Sequence, residues 1–289
     1  MTEVEAVASH TLAVDELGMV IDTKSDTPFD VASYSKMKYG NREVTRRFAH
    51  ALTEDVLQVR PGLVEDEQPP LFPASFSVVP PVPFHLSRYV LETINEQRRA
   101  NDLEAGGILQ VDRSRTQTSN YAVLTAEERR EEWDSIDFFF SNGEDDRLAP
   151  DTPIVILDDV RITGSFTRKL LGVFEDHDPA RMMLGFVAVF EPQQARQHPE
   201  VEDLINGTTK MGVETILPEI LNDNFDLNIR TLKMILCTDA DRLIPFLEQC
   251  PPHLLEKMLA DTIASGPDFV EYHRPGYEDL RALTLERAA

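Results

Sequence analysis

Pro153-Ile-Val-Ile-Leu-Asp-Asp-Val-Arg-Ile-Thr-Gly-Ser-Phe-Thr167 is the stretch on which the reading of this chain turns. Ile154 to Leu157 are apolar at every position instead of alternating, the pattern of a strand covered on both faces by helices. The strand ends in Asp158-Asp159, and Thr163-Gly164-Ser165 forms a turn that opens a helix near Phe166. In an open α/β sheet, ligands bind at the carboxyl ends of strands, where this acidic pair would stand. A helix start preceded by Gly and hydroxyl residues offers N–H groups and a positive dipole end to a phosphate. Carboxylates beside such a cradle suit a ligand that carries both hydroxyls and phosphate, and ribose 5-phosphate has that shape.

Three other readings compete. An acidic pair after an apolar strand also occurs in Walker B motifs, but no G-x-x-x-x-G-K-[ST] lies upstream and the chain has no Gly-Lys dipeptide. Receiver domains carry their acidic pair near the start, with no Thr-Gly-Ser turn after it. The plain alternative is a strand-to-helix turn with two solvated aspartates.

Working outward, Phe76-Ser-Val-Val79, Gly107–Val111, Phe138–Phe140 and Met183–Phe190 read as further strands. Pro80, Pro81 and Pro83 stop the first, and Leu86, Tyr89, Val90 and Ile94 follow at helical spacing. From Asn41, Val44, Phe48 and Leu52 share a helical face. Strands separated by helices imply parallel pairing with right-handed crossovers. The expected fold is therefore α/β, a parallel sheet flanked by helices over residues 41–192. An irregular or short-strand lead-in occupies 1–40, and a mostly helical region follows over 193–289.

Charge narrows the function classes. Acidic residues outnumber basic ones 51 to 28, a formal net charge of -23. That balance opposes binding to a nucleic-acid backbone, which depends on Lys and Arg neutralising phosphates. Cys237 and Cys250 form no Cys-x-x-Cys pair, so a disulfide scaffold or zinc knuckle is not expected and a reducing compartment fits. The acidic N-terminus does not read as a signal peptide, and no apolar run approaches the roughly 20 residues needed to span a bilayer. The expectation is a soluble, cytoplasmic protein with neither nucleic-acid nor membrane partners. Whether it forms a homodimer stays open.

IVILDDVRITGSF resembles the signature of type I phosphoribosyltransferases, which bind phosphoribosyl diphosphate (PRPP): four apolar residues, two acidic ones, then a turn of apolar, Thr, Gly and small residues. The resemblance implies that Asp158 and Asp159 meet the ribose hydroxyls. It implies that Arg161, Ile162, Thr163, Gly164, Ser165, Phe166 and Thr167 wrap the 5-phosphate, with Phe166 departing from the usual small or hydroxyl residue. In this layout a strand from Ser75 to Val79 would lead into a diphosphate loop at Pro81, Val82 and Pro83, with Arg88 a further diphosphate partner. The polar segment Asp112–Tyr121, with Arg113, Arg115, Gln117, Ser119 and Tyr121, corresponds to the family's closing catalytic loop. Together, YSKMKYGNREVTRRF, DDVRITGS and LNIRTLK also resemble phosphoribosyltransferase-like proteins encoded with tellurium-resistance genes.

The implied reaction is displacement of diphosphate from ribose C1 by a nucleobase-like or amine acceptor. Asp158, Asp159, Arg113 and Arg115 would carry the chemistry, and Mg²⁺ would be held by substrate oxygens and waters instead of protein ligands. The C-terminal region would form a hood over the site. Ile162 stands where purine-salvage relatives have a carboxylate, which argues against a hypoxanthine-guanine enzyme. A PRPP-sensing regulatory protein on the same fold is the alternative. Scattered histidines such as His85 and His177 read as loop or packing residues. Trp133 and Phe138–Phe140 read as core, and Tyr272, His273, Arg274 and Tyr277 form a polar-aromatic group near the C-terminus.

Overall fold

The computed structural model describes residues 4–114, 136–141, 148–149, 151–162, 164–197, 201–207 and 211–288. Arg115, Gln117, Ser119, Tyr121, Trp133 and Thr163 lie outside the described residues.

Eight strands form one mixed sheet in the order β3-β2-β1-β8-β7-β4-β5-β6. Its centre is parallel: β1 (Glu5–Val14) pairs with β8 (Met182–Phe190), β8 with β7 (Ile154–Arg161), β7 with β4 (Leu71–Ser75), and β4 with β5 (Gly107–Arg113). Both edges are antiparallel, where the parallel reading was incomplete. β2 (Val20–Asp22) and β3 (Thr27–Pro28) fold back on β1, and β6 (Phe138–Phe140) fold back on β5. Short connections within 14–28 allow hairpin-like returns, which need no crossover helix.

The continuous apolar run of β7 is explained by cover on both faces. Val155 and Leu157 enter a core shared with α1 (Val31–Lys38), α2 (Arg42–Val59) and α4 (Val82–Ala100). Ile154 and Ile156 point the other way, into a second core with Leu170 of α5 (Ser165–Gly172) and Phe174 just beyond it. A strand's period of two sends alternate side chains to opposite layers, so both must be apolar when helices cover both. α2 begins at Asn41, whose side chain accepts the Val44 N–H at 2.9 Å, and it buries Phe48 and Leu52 as its spacing predicts.

Two expectations are corrected here. The lead-in over 1–40 supplies β1, a ten-residue strand inside the sheet, and α1. Ser9, His10 and Thr11 break the apolar run of β1, because much of this strand is only half covered. The strand expected at 75–79 is instead Leu71–Ser75, while 76–79 bends away from the sheet. Pro73 sits inside β4, and although all five residues of β4 pair with β5, only Leu71 pairs with β7. A proline has no N–H for a second ladder, and that signal pointed away from a central strand.

After β8 come α6 (Pro192–Gln197), α7 (Val201–Gly207) and α8 (Val213–Leu221). α9 (Ile229–Leu236), α10 (Ala240–Gln249), α11 (Pro252–Ala264), α12 (Pro267–Tyr272) and α13 (Arg274–Ala288) complete the chain. From α8 onward these helices share a core of their own, which includes Ile216, Leu232, Phe246, Met258 and Phe269. Val79 joins it from the loop after β4. The helical region is tied back to the sheet half along residues 40–42: the Asp226 N–H donates to Gly40 O at 2.8 Å and the Arg42 N–H to Asn224 O at 3.1 Å.

Candidate active site

A cavity of about 250 Å³ opens where β7, β5 and the loop after β4 reach their carboxyl ends. Asp158 and Asp159 form its floor, and both are buried. The Asp158 carboxylate accepts the Asp159 N–H at 2.9 Å, and the Asp159 carboxylate accepts the Val160 N–H at 2.8 Å. Lys38, the last residue of α1, forms an ion pair with Asp159.

The two aspartates consequently diverge. Burial raises the pKa of Asp158 well above the usual 3.8, and the neighbouring Asp159 charge pushes in the same direction. Burial acts on Asp159 too, but Lys38 and Arg230 outweigh it and hold Asp159 below its usual value. An adjacent pair that shares one proton is a regular result of two carboxylates in a confined site.

Four cations line the same cavity: Lys38, Arg113, Arg161 and Arg230. Arg113 ends β5, where its Nε donates to Ser75 Oγ at 3.1 Å and its guanidinium lies over the rings of Phe138 and Phe166 at 5.4 and 5.7 Å. Burial pushes its pKa down to about 10, with Asp158 opposing, so it stays charged at neutral pH. Arg161 lies over Phe186 at 5.0 Å. Gly164 precedes α5 with φ 71°, the left-handed region that glycine enters at no steric cost, and as the N-cap residue it has no side chain to cap the helix.

Of the residues expected around a 5-phosphate, Arg161, Ile162, Gly164, Ser165 and Phe166 line the cavity. Thr167 is buried in the first turn of α5 and does not line it. Pro81 and Val82, expected in a diphosphate loop, do line it together with Pro83. Arg88 does not. At roughly 3.6 residues per turn, a side chain six positions after Val82 points to another side of α4. Its Nη2 donates to Asp226 at 3.2 Å and to Tyr89 Oη at 2.5 Å. Asp226 also accepts from Tyr89 Oη at 2.5 Å and Arg42 Nε at 3.3 Å, so Arg88 belongs to a structural cluster.

Lys38, Asn228 and Arg230 are site residues that pattern reading did not assign. Asn228 is fully buried: its side chain caps α9 by accepting the Thr231 N–H at 3.0 Å, and its Nδ2 donates to Lys38 O at 3.3 Å. One asparagine thus fixes both Lys38 and the start of the helix that carries Arg230. The available signal was the pair of stretches YSKMKYG and LNIRTLK, each holding one of these cations.

The model of the PRTase ComF-like family matches residues 16–275. The chain belongs to that phosphoribosyltransferase-type family. The matched span takes in Lys38, the acidic pair and Arg230, and so both halves of the cavity wall. No curated protein matches the chain. Among the described residues, no helix is long and apolar enough to cross a membrane.

Proposed function

We propose that the chain binds PRPP with Mg²⁺ in this cavity and transfers the phosphoribosyl group to a small nucleobase-like or amine acceptor, with release of diphosphate. The observation that carries the reading is the meeting, in one cavity, of a buried acidic pair, a glycine-led helix start and four cations. Asp158 and Asp159 take the ribose hydroxyls, and the turn before α5 takes the 5-phosphate. Arg113, at the end of β5 and two strands away from β7, receives the leaving diphosphate, with Pro81 and Val82 lining the same cavity. Lys38 and Arg230 close the cavity from the side of α1 and α9. As the bond at C1 breaks, positive charge grows on the sugar and negative charge on the leaving group. Fixed cations around the second and an ionised Asp159 near the first stabilise that separation.

The donor set bears on the metal. Asp159 is already ion-paired, Asp158 is held toward its neutral form, and no cluster of three His, Cys, Asp or Glu residues among the described ones could hold a metal ion. These residues fit Mg²⁺ carried on the substrate diphosphate, where it would neutralise charge that the arginines do not reach.

Calorimetry with PRPP and MgCl₂, followed by a screen of bases and amines for PRPP-dependent diphosphate release, tests the proposal. Binding and release with at least one acceptor is the expected result. Binding without release from any acceptor makes the chain a PRPP-sensing protein, and no binding removes the sugar-phosphate assignment altogether.

A further inference from the structure

Phe166 stands where the phosphoribosyltransferase signature has a small or hydroxyl residue, and the structure brings its ring to Arg113. It is the second residue of α5, directly after the turn that Gly164 opens, and it lines the cavity. Its ring lies 5.7 Å from the Arg113 guanidinium and 5.9 Å from the ring of Phe138, at 63° to it. Phe138 stands directly opposite Arg113 in the register of β5 and β6, with its own ring 5.4 Å from the guanidinium. Arg113 thus meets two rings, one from the edge of the sheet and one from α5.

The layout of the sheet explains why a large side chain stands there. β4 lies between β5 and β7, so the ends of those strands are two strand spacings, about 10 Å, apart. A serine or threonine at the start of α5 is too short to reach across β4 to the arginine. The contact matters because Arg113 is withdrawn from water, with Ser75 Oγ accepting from its Nε at 3.1 Å and Asp158 supporting its charge. A ring face stabilises a cation without occupying its N–H groups, which stay directed outward for an anion. A long arginine that is already held in place also loses less freedom when a ligand arrives.

We propose that Phe166 is a positioning residue for Arg113: its ring holds the guanidinium where the leaving diphosphate is received. The turn that seats the 5-phosphate is thereby joined to the group that takes the diphosphate. The inference rests on the diphosphate role proposed for Arg113. Phe166 acts through the arginine and touches no reacting atom. Without the ring, a smaller fraction of molecules keeps Arg113 in its binding position, and affinity falls with that fraction.

Calorimetry on the full chain tests it, with magnesium diphosphate and ribose 5-phosphate titrated separately. Phe166→Leu keeps apolar bulk and removes the ring. It should weaken magnesium diphosphate by about 3- to 10-fold, within the worth of a cation–π contact, and ribose 5-phosphate by a smaller factor. Phe166→Tyr, which keeps the ring, should recover most of that loss. Phe166 is half-buried, and circular dichroism checks that the variants fold. Phe166→Thr, which restores the usual residue type, should show the same loss and replaces Phe166→Leu if that variant does not fold. Arg113→Met should weaken magnesium diphosphate more than either. Phe166→Leu added to Arg113→Met should weaken it no further, the non-additivity of two residues that act as one. Magnesium diphosphate that does not bind, or that binds Arg113→Met unchanged, removes the diphosphate role of Arg113 and this inference with it. If Arg113→Met weakens binding and Phe166→Leu does not, the diphosphate role stands and the positioning role falls. Equal losses for the two ligands, or an undiminished loss in the Arg113→Met background, overturn it as well, because Phe166 would then act independently of Arg113.

Discussion

The end of β7 and the turn before α9 each bury an aspartate beside arginines, yet the two regions treat the charge in opposite ways. Asp226 is saturated. Burial alone would raise its pKa, but the hydrogen bond from Tyr89 and the charges of Arg88 and Arg42 hold it below the usual value. Among the described residues, Asp159 has one ion pair, with Lys38, and Asp158 accepts the next residue's N–H. A buried carboxylate whose partners are complete joins elements together. One whose partners are incomplete is held at a cost that the fold recovers only through a ligand. Asp226 links α2 and α4 to the C-terminal helices, while Asp158 and Asp159 face a cavity.

The largest effect should come from breaking the saturated site. Asp226→Ala strands Arg42, Arg88 and Tyr89 together. Removal of one partner from a buried ion pair costs roughly 3–5 kcal/mol, and because both arginines are about a third exposed, the lower end, about 3 kcal/mol, is expected. Urea denaturation followed by circular dichroism reads it. A loss under about 1 kcal/mol would place Asp226 in the same class as an ordinary surface ion pair and end the contrast.

The incomplete site should respond in affinity. Asp159→Asn removes a charged acceptor for a ligand hydroxyl, worth about 1.5–3 kcal/mol, so PRPP binding measured by calorimetry should fall by about 10- to 150-fold. Asp158→Asn, which replaces a carboxyl held toward its neutral form, should cost about 0.5–1.5 kcal/mol, roughly 2- to 12-fold. Wild-type affinity in both variants would separate the acidic pair from the ligand.

Asp158 and Asp159 also predict opposite dependences of stability on pH. The folded pKa of Asp158 lies above 3.8, so the folded state holds its proton where the unfolded chain has lost it. That imposes a penalty which grows as pH rises from about 3.8 toward the folded value and is constant beyond it. Asp158→Asn removes the penalty, and its Tm should exceed that of the parent protein at pH 8 by more than it does at pH 5. Asp159 has a lowered folded pKa, so its contribution is present above 3.8 and lost as pH falls through the folded value. Asp159→Asn should therefore lower Tm at pH 8, where Lys38 is left buried without its partner. Thermal melts of both variants across this range check the signs.

The same contrast explains what the sequence could reveal. The apolar run, acidic pair and glycine turn of 153–167 are local, and they disclosed β7, α5 and the floor of the cavity. Periodicity disclosed α2, α4 and the helical C-terminal region. β4 hid behind Pro73, and β1 behind the polar residues of a half-covered strand. Lys38 meets Asp159 across 121 residues, and Asn228 meets Lys38 across 190, so no local pattern could join them. Arg88, expected as a diphosphate partner, stands outside the first cavity for the same reason: its partner Asp226 lies 138 residues away.

The smallest effect on folding distinguishes two glycines that stand one in each region. Gly40 has φ 89°, and a Cβ there would lie 2.4 Å from Asp226 O, so a side chain must move backbone at the saturated site. Gly164 has φ 71°, but among the described residues its Cβ would meet only Arg161 Cγ and Cδ at 3.8 Å, an ordinary contact. Left-handed backbone alone costs a residue with a Cβ roughly 1–2 kcal/mol. Gly164→Ala should therefore lose about 1 kcal/mol in urea denaturation, and Gly40→Ala clearly more, because strain and overlap add there. In ligand binding the order should reverse. A phosphate seated on the turn before α5 comes close to the Gly164 backbone, so the added methyl should weaken ribose 5-phosphate binding by more than the folding loss accounts for. Gly40→Ala, in whatever fraction remains folded, should bind it as the parent protein does. If Gly164→Ala binds ribose 5-phosphate unchanged, the phosphate lies away from this turn, and the acidic pair must be paired with another anchor in the cavity.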